Sequence, residues 1–235
     1  MAAAAEEFPG RYLRNKGTFS REEQERLGES AVLVAGAGGL GGNIVDILAR
    51  TGAGRITISD GDEFEASNLN RQILCTEKNL KKNKAEEAVK RVQEINSGIT
   101  AVPLPFCLNP SNLPDILKGQ DLVIDALGGV QAKRMLLAQT ARAGLPLVSG
   151  FVAGWLGLAA TVMPGETGPD RFWEGDSESA AENSQGCIAP VTGLIASIQA
   201  CEALRLLSGR DPLLRGRILC ADLEQMSFNF LQIRE

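Results

Sequence analysis

Residues 31–62, AVLVAGAGGLGGNIVDILARTGAGRITISDGD, leave the chain few choices of fold. The run 31–35 is apolar, short and β-branched, as a strand buried on both faces requires. Gly36, Gly38 and Gly41 follow with the spacing G-x-G-x-x-G, Gly39 beside them. Leu40, Ile44, Ile47 and Leu48 then share one face of a helical pattern. A second strand over 55–59 ends at Asp60. Strand, glycine loop, helix, strand and acid in this order make a nucleotide-binding βαβ unit. The first glycine makes the turn, the second lets a phosphate approach the backbone, and the third lets helix and strand pack. Helix N–H groups hold the phosphate, and Asp60 accepts from ribose hydroxyls. A tight glycine turn with nothing bound is the plainer reading of the loop alone; both strands and the acid favour the nucleotide site.

The rest of the chain alternates strand and helix and then changes pattern. Residues 1–10 read as a mobile tail. Ser20 to Glu23 spells S-x-x-E, a capping box opening a short charged helix that runs to Leu27. Arg11 and Arg14 precede it and, on spacing alone, are surface charge. The polar loop 62–72 lies at the carboxyl end of a strand, where open α/β sheets bind ligands. That places Asp62, Asn68, Arg71 and Gln72 near the phosphates, where an arginine gives a bidentate grip. Lys84 closes a basic run from Lys78 and opens a helix with Ala85, Ala88, Val92 and Ile95 on one face. A triphosphate contact and a solvated lysine cluster both remain open for it. Strands are expected at 99–104, 121–126 and 145–149, and helices at 112–117 and 131–143. Asp125 ends the middle strand and is followed by Leu127, Gly128 and Gly129.

Residues 150–163 are apolar and interrupted by glycine, which suits antiparallel strands better than a helix. Segment 164–186 has no period and carries six acids against Arg171 as its one base. A loop this long in a compact domain is functional or disordered as a rule. Phe172 and Trp173 within it either anchor a partner or tuck onto the core. A long apolar helix over 191–207 and a hairpin over 217–223 and 226–233 close the chain. The expected fold is α/β: a Rossmann-like mixed sheet, a parallel nucleotide-binding half followed by antiparallel strands, in one domain spanning residues 1–235.

Composition narrows the chemistry. A net charge of -5 argues against a general nucleic-acid surface. No apolar run reaches a membrane span, and residues 1–7 do not form a secretory signal. Five cysteines form no C-x-x-C pair, which fits reduced thiols in a cytoplasm. The chain has no histidine, so acid–base work falls to carboxylates, Lys, Arg, Cys or backbone.

NLNRQ at 68–72, after GAGGLGG and SDGD, resembles the ThiF/MoeB/HesA family, bacterial relatives of the ubiquitin-activating enzymes. The resemblance runs from about Arg11 to Ile233 and includes RYLRN, NKAE around Lys84, PLVSG, and APVTGLIASIQACEALRLLSG. It implies ATP and Mg2+ as cofactors and adenylation of the C-terminal glycine carboxylate of a ubiquitin-like sulfur carrier (ThiS/MoaD-like). Thiamine, molybdopterin or another sulfur-containing product would follow. By the same resemblance Asp60 holds the ribose, Asn68 and Arg71 contact phosphates, and Lys84 neutralises the triphosphate. Arg14 matches an arginine supplied by the neighbouring subunit, which implies a homodimer. The acidic segment matches a crossover loop over the carrier's tail.

Three departures stand out. Relatives read D-x-x-D-N after the fourth strand, the second acid binding magnesium; here Gly128 occupies that place. The magnesium role is therefore expected to pass to Asp125 or Asp62, or adenylation is lost. The paired C-x-x-C motifs of a structural zinc site are missing, so no zinc is expected. Cys187 does not fall where relatives place a sulfur-handling cysteine, nearer Glu182. Before a helix start it is either a reactive thiolate or a small buried apolar group. Two other function classes remain: a catalytically impaired nucleotide- or carrier-binding scaffold, motivated by Gly128, and an NAD-dependent oxidoreductase, against which NLNRQ stands.

Overall fold

The computed structural model describes residues 8–172 and 185–233. The expected mobile tail lies largely outside these residues, but its last part is held. Gly10–Tyr12 forms a 3-10 turn. Arg11 donates to the Asn96 side-chain oxygen, and the Tyr12 hydroxyl accepts from Asn96 Nδ2 at 2.7 Å. Helix α1, Arg21–Glu29, opens with the expected capping box and runs two residues past Leu27.

Strand β1 (Ala31–Ala35) is buried at every position. Helix α2 (Gly39–Thr51), strand β2 (Arg55–Ser59), helix α3 (Lys84–Ile95) and strand β3 (Thr100–Leu104) follow. The short helix α4 is a single turn, Leu113–Ile116. Strand β4 (Leu122–Asp125) and helix α5 (Val130–Ala143) come next. Strand β5 continues past residue 149 to span Leu147–Ala153; its parallel pairing with β4 ends at Ser149, and residues 150–153 pair antiparallel with β6, as expected for that stretch. Strand β6 (Leu156–Val162), helix α6 (Ala189–Leu207) and strands β7 (Arg217–Asp222) and β8 (Ser227–Gln232) complete the fold.

All eight strands form one sheet in the order β3-β2-β1-β4-β5-β6-β7-β8. The first five pair in parallel, and β5-β6, β6-β7 and β7-β8 are antiparallel. Alternate residues of the central strands feed two separate cores, because helices cover both faces. Val32, Val34, Leu122 and Ile124 pack under α2, α3 and α6. Leu33, Ala35 and Val123 pack under α4 and α5 with Leu113 and Leu136. Among the described residues no helix is long and apolar enough to cross a membrane.

The acidic segment is described as far as Phe172. Pro169–Phe172 is a 3-10 turn that leaves Phe172 half exposed, and Glu166 pairs with Arg215. Trp173 and the rest of the expected crossover loop up to residue 184 lie outside the described residues.

Candidate functional site

Strand order reverses between β1 and β4, so their outgoing chains diverge and leave a crevice at the carboxyl edge of the sheet. Gly36, at φ +97°, turns the chain out of β1; a Cβ there would stand 2.6 Å from the Ala126 carbonyl oxygen of the β4 loop. A Cβ on Gly41 would run into the Gly36 carbonyl, so this glycine lets α2 close onto the loop. Gly38 and Gly39 present bare backbone to a cavity of about 370 Å³. Among the described residues neither the cap of α2, Gly38, nor that of α5, Gly129, supplies a side-chain hydrogen bond to its helix start. Two uncapped helix starts therefore face one cavity, each with partial positive charge.

The β2 loop forms a second wall. Asp60 accepts from the Ala37 amide at 2.8 Å and from the Asp62 amide at 2.9 Å, which ties the glycine loop to the end of β2. Burial pushes its carboxyl above the usual range, against the pull of those two amides. Asn83 caps α3 and donates to the carbonyls of Asp60 and Asp62 at 3.1 and 3.2 Å. That cap sets Lys84 at the first position of α3, its ammonium 3.1 Å from Asp62. Lys84 is buried and lines the cavity, whereas the Asp62 carboxylate is largely in water.

Arg71 and Gln72 close the third side. Arg71 Nη1 donates to the Ser67 carbonyl and to Asn70 Oδ1, both at 3.0 Å. Its Nε and Nη2 have no partner among the described residues. Gln72 is buried against Gly38, and its side-chain oxygen is without a partner among the described residues. A buried amide oxygen without a partner is costly, and Gln72 stands in the cavity wall, where a polar ligand could meet its side chain. Asn68, expected at the phosphates, stands outside the lining: its Oδ1 accepts from the Glu65 amide at 3.1 Å and closes the turn that presents Arg71. Arg14 is exposed and also lies outside this cavity.

Asp125 does not fulfil the expectation of a metal ligand. It is fully buried, and both oxygens are occupied. Oδ1 accepts from the Leu127 amide at 3.1 Å, Oδ2 from Ser149 Oγ at 2.7 Å, and Lys133 Nζ reaches both at 3.2 and 3.1 Å. Lys133 gives its remaining bond to the Gly150 carbonyl at 2.6 Å. Gln199 donates to the Asp125 carbonyl at 2.8 Å, sealing the assembly from below. A divalent cation would have to displace a buried ammonium to reach this carboxylate. Among the described residues no three or more His, Cys, Asp or Glu side chains converge as a metal site.

Of the two readings of Cys187, the structure favours the small buried apolar group. It is buried in the larger apolar core, and its carbonyl accepts from Asn70 Nδ2 at 3.0 Å. A reactive thiolate needs solvent access, and burial in this core suits a packing group. Burial raises the thiols of Cys75, Cys201 and Cys220. None of the five cysteines is in a disulfide.

Lys133, Ser149 and Thr192 escaped the sequence reading. Lys133 could have been found, since it shares the buried stripe of α5 with Leu136 and Thr140. A lysine on an apolar stripe asks for a buried acid. Asp125, at the end of an apolar strand, is that acid.

Known proteins resemble this chain over most of its length. A sulfur carrier protein adenylyltransferase of Thermus thermophilus is 33% identical over 224 residues, covering 91% of this chain and 82% of that relative. The adenylyltransferase and sulfurtransferase MOCS3 of Xenopus laevis is 32% identical over 216 residues, covering 90% of this chain. The chain spans about half of that longer relative, 48% of its length. A crystal structure of Escherichia coli MccB with MccA-N7isoASN superposes with a TM-score of 0.84 at 22% identity, covering 97% of this chain and 73% of that one, and shares the fold. Residues 12–235 match the ThiF family, and the chain belongs to it.

Proposed function

We propose that this chain binds ATP in the crevice and adenylates the C-terminal glycine carboxylate of a ubiquitin-like sulfur carrier. One observation carries the reading: a bare glycine backbone, two uncapped helix starts, Lys84 and Arg71 meet in a single cavity. Such a set holds a polyphosphate and takes up charge leaving with its terminal phosphates. The relative from Thermus, named for this activity on a sulfur carrier, supports the choice of substrate.

A carboxylate oxygen of the carrier attacks the α-phosphorus. The bond from that phosphorus to the bridging oxygen breaks, and pyrophosphate leaves with the electron pair. No proton moves, so the absence of histidine is no obstacle. What the protein supplies is alignment and neutralisation of charge. Gly36, Gly38, Gly39 and Gly41 shape the phosphate cradle, and Asp60, fixed by two backbone amides, offers its outer lone pairs to the ribose. Gln72, in the cavity wall, turns its unsatisfied amide to the ligand. Lys84 exchanges the solvated Asp62 for phosphate oxygens, and Arg71 supplies its unpartnered donors. Asn68 acts through the turn that holds Arg71. Arg14, exposed outside its own cavity, suits a residue donated to a second copy in a homodimer. The acidic segment suits a cover for the carrier's tail. Five thiols outside any disulfide fit a reducing cytoplasm.

Pyrophosphate exchange into ATP, dependent on a ubiquitin-like carrier with a free terminal glycine, tests the reading. Carrier-dependent exchange is the expected result. ATP binding without exchange for any such carrier would replace it with the scaffold reading, which Gly128 and the sealed Asp125 favour. Saturation by NAD in preference to ATP would replace both.

A further inference from the structure

We infer that the nucleotide lies with its nucleobase toward β3, against Cys107, so that the nucleobase and an alkylated Cys107 exclude one another. The inference rests on the nucleotide reading above and deepens it. The glycine loop and the starts of α2 and α5 hold the phosphates in the middle of the crevice. Asp60, tied to the Ala37 amide at 2.8 Å, takes the ribose one strand nearer the β3 edge. The nucleobase therefore falls one sugar beyond, where the β3 loop meets the end of β2. That loop is closely docked. Ser59 Oγ donates to the Phe106 carbonyl at 2.9 Å, and a Cβ on Gly61 would stand 2.8 Å from Cys107 Sγ. Asn112 Nδ2 donates to the Cys107 carbonyl at 3.0 Å and steadies the loop from its other side.

Cys107 and Leu108 line the cavity there, with Leu127 of the β4 loop. Both leucines rest on the smaller core, so they form a fixed apolar ledge on which a flat ring gains contact. The far end of the cavity is lined by Gly150, Phe151 and Val152 of β5. Four strand spacings of about 4.8 Å, roughly 19 Å in all, separate β3 from β5. A nucleobase at Cys107 thus leaves the β5 end to the attacking carboxylate. Of the five cysteines, Cys107 is the one in this wall, and it is exposed; Cys201, on α6, is exposed outside the cavity.

N-ethylmaleimide is the probe. The thiol sulfur bonds to one alkene carbon, the π bond breaks, and the neighbouring carbon takes the thiol proton through water, with no leaving group. Peptide mass spectrometry of the intact chain reads the alkylation rates of Cys107 and Cys201. ATP at ten times its calorimetric Kd should slow Cys107 about tenfold, because only about a tenth of the sites stay free. Cys201 should keep its rate. Tripolyphosphate at the same concentration should slow neither thiol. Bound ATP that leaves the Cys107 rate unchanged, or slows Cys201 equally, overturns the inference, and so does tripolyphosphate that protects Cys107 as well as ATP does. In the converse experiment, alkylated wild type should lose ATP affinity at least tenfold, whereas Cys107→Ser should bind ATP equally before and after the reagent. Undiminished affinity in alkylated wild type, or the same loss in Cys107→Ser, overturns the inference. Failure of the untreated chain to bind ATP would remove the nucleotide reading itself, a result distinct from all of these.

Discussion

Lys133 meets Asp125 and Lys84 meets Asp62 at the same 3.1 Å, one pair behind the β4 loop and the other at the open mouth of the crevice. Side-chain exposure separates them: 2% and 0% in the first pair, 9% and 72% in the second. In the sealed pair the ammonium has three acceptors and each carboxylate oxygen has two donors. Nothing is left for a ligand, and the pair fixes the β4 loop to α5 and β5. In the open pair the ammonium is buried toward the cavity while its partner is hydrated, so a phosphate can replace the carboxylate at little desolvation cost. Distance alone does not sort a strut from a binding group. The unused lone pairs and the water around them do.

Removing one partner of each pair sharpens the contrast. Lys133→Met leaves the Asp125 charge buried without its counter-ion and should cost about 3–5 kcal/mol in denaturant unfolding. Combining it with Asp125→Asn should recover a substantial part of that loss. A single-variant cost below about 1 kcal/mol would show that the sealed pair is no strut. Lys84→Met should behave in the reverse way. Its stability cost stays below about 1 kcal/mol, because Asp62 is already in water. Its ATP affinity falls by about 1.5–3 kcal/mol, the worth of a hydrogen bond to a charged group. Arg71→Ala should lose a similar amount of affinity, and unchanged ATP binding would remove that side chain from the site.

The two pairs also differ in how far residues alone reveal them. The parallel half was legible because strand period, glycine spacing and caps are local signals. The Ser20 box and the start of α3 at Lys84 appear where the spacing predicts them. Cavity residues on the first two loops were legible for the same reason. The role of Asp125 was not, since its partners arrive from α5 and β5, 8 and 24 residues later. Acid type and strand-end position are shared by Asp60 and Asp125, and only tertiary packing tells them apart. Cys187 was undecided for the same reason: a helix start allowed a thiolate or a small apolar group, and core packing favours the second. The end of β5 was missed because Gly150 looked like a strand break, whereas the strand runs on beneath Gln199.

Away from the crevice the same contrast can be carried to weaker contacts. Ser20→Ala removes the acceptor for the Glu23 amide, 3.2 Å away, and should cost about 1 kcal/mol of stability while leaving ATP affinity unchanged. An equal loss of affinity would mean that α1 communicates with the site.

Glu23 also joins α1 to the chain beyond α6. Arg210 Nη2 donates to its carboxylate at 2.7 Å and to the Thr18 carbonyl at 2.6 Å, while the guanidinium lies 5.4 Å from the Phe19 ring centre. The Arg210 bond first, and the Ser20 amide after it, hold the Glu23 carboxyl down at about 2 from an ordinary 4.5. A carboxyl depressed on folding stabilises the protein fully above its unfolded value and loses that contribution as the pH falls through its folded value. The tie should therefore be intact at neutral pH and fade between about 4.5 and 2. Comparing wild type with Glu23→Gln in unfolding experiments across that window isolates the contribution. The gap between the two proteins should be constant above about pH 5 and narrow as acid is added. It should also be smaller than the losses expected at Lys133, Lys84, Arg71 and Ser20, since the pair sits at the surface. A gap that does not change with pH would mean that the Glu23 charge adds nothing to stability, and that Arg210 holds its place by Thr18 and Phe19.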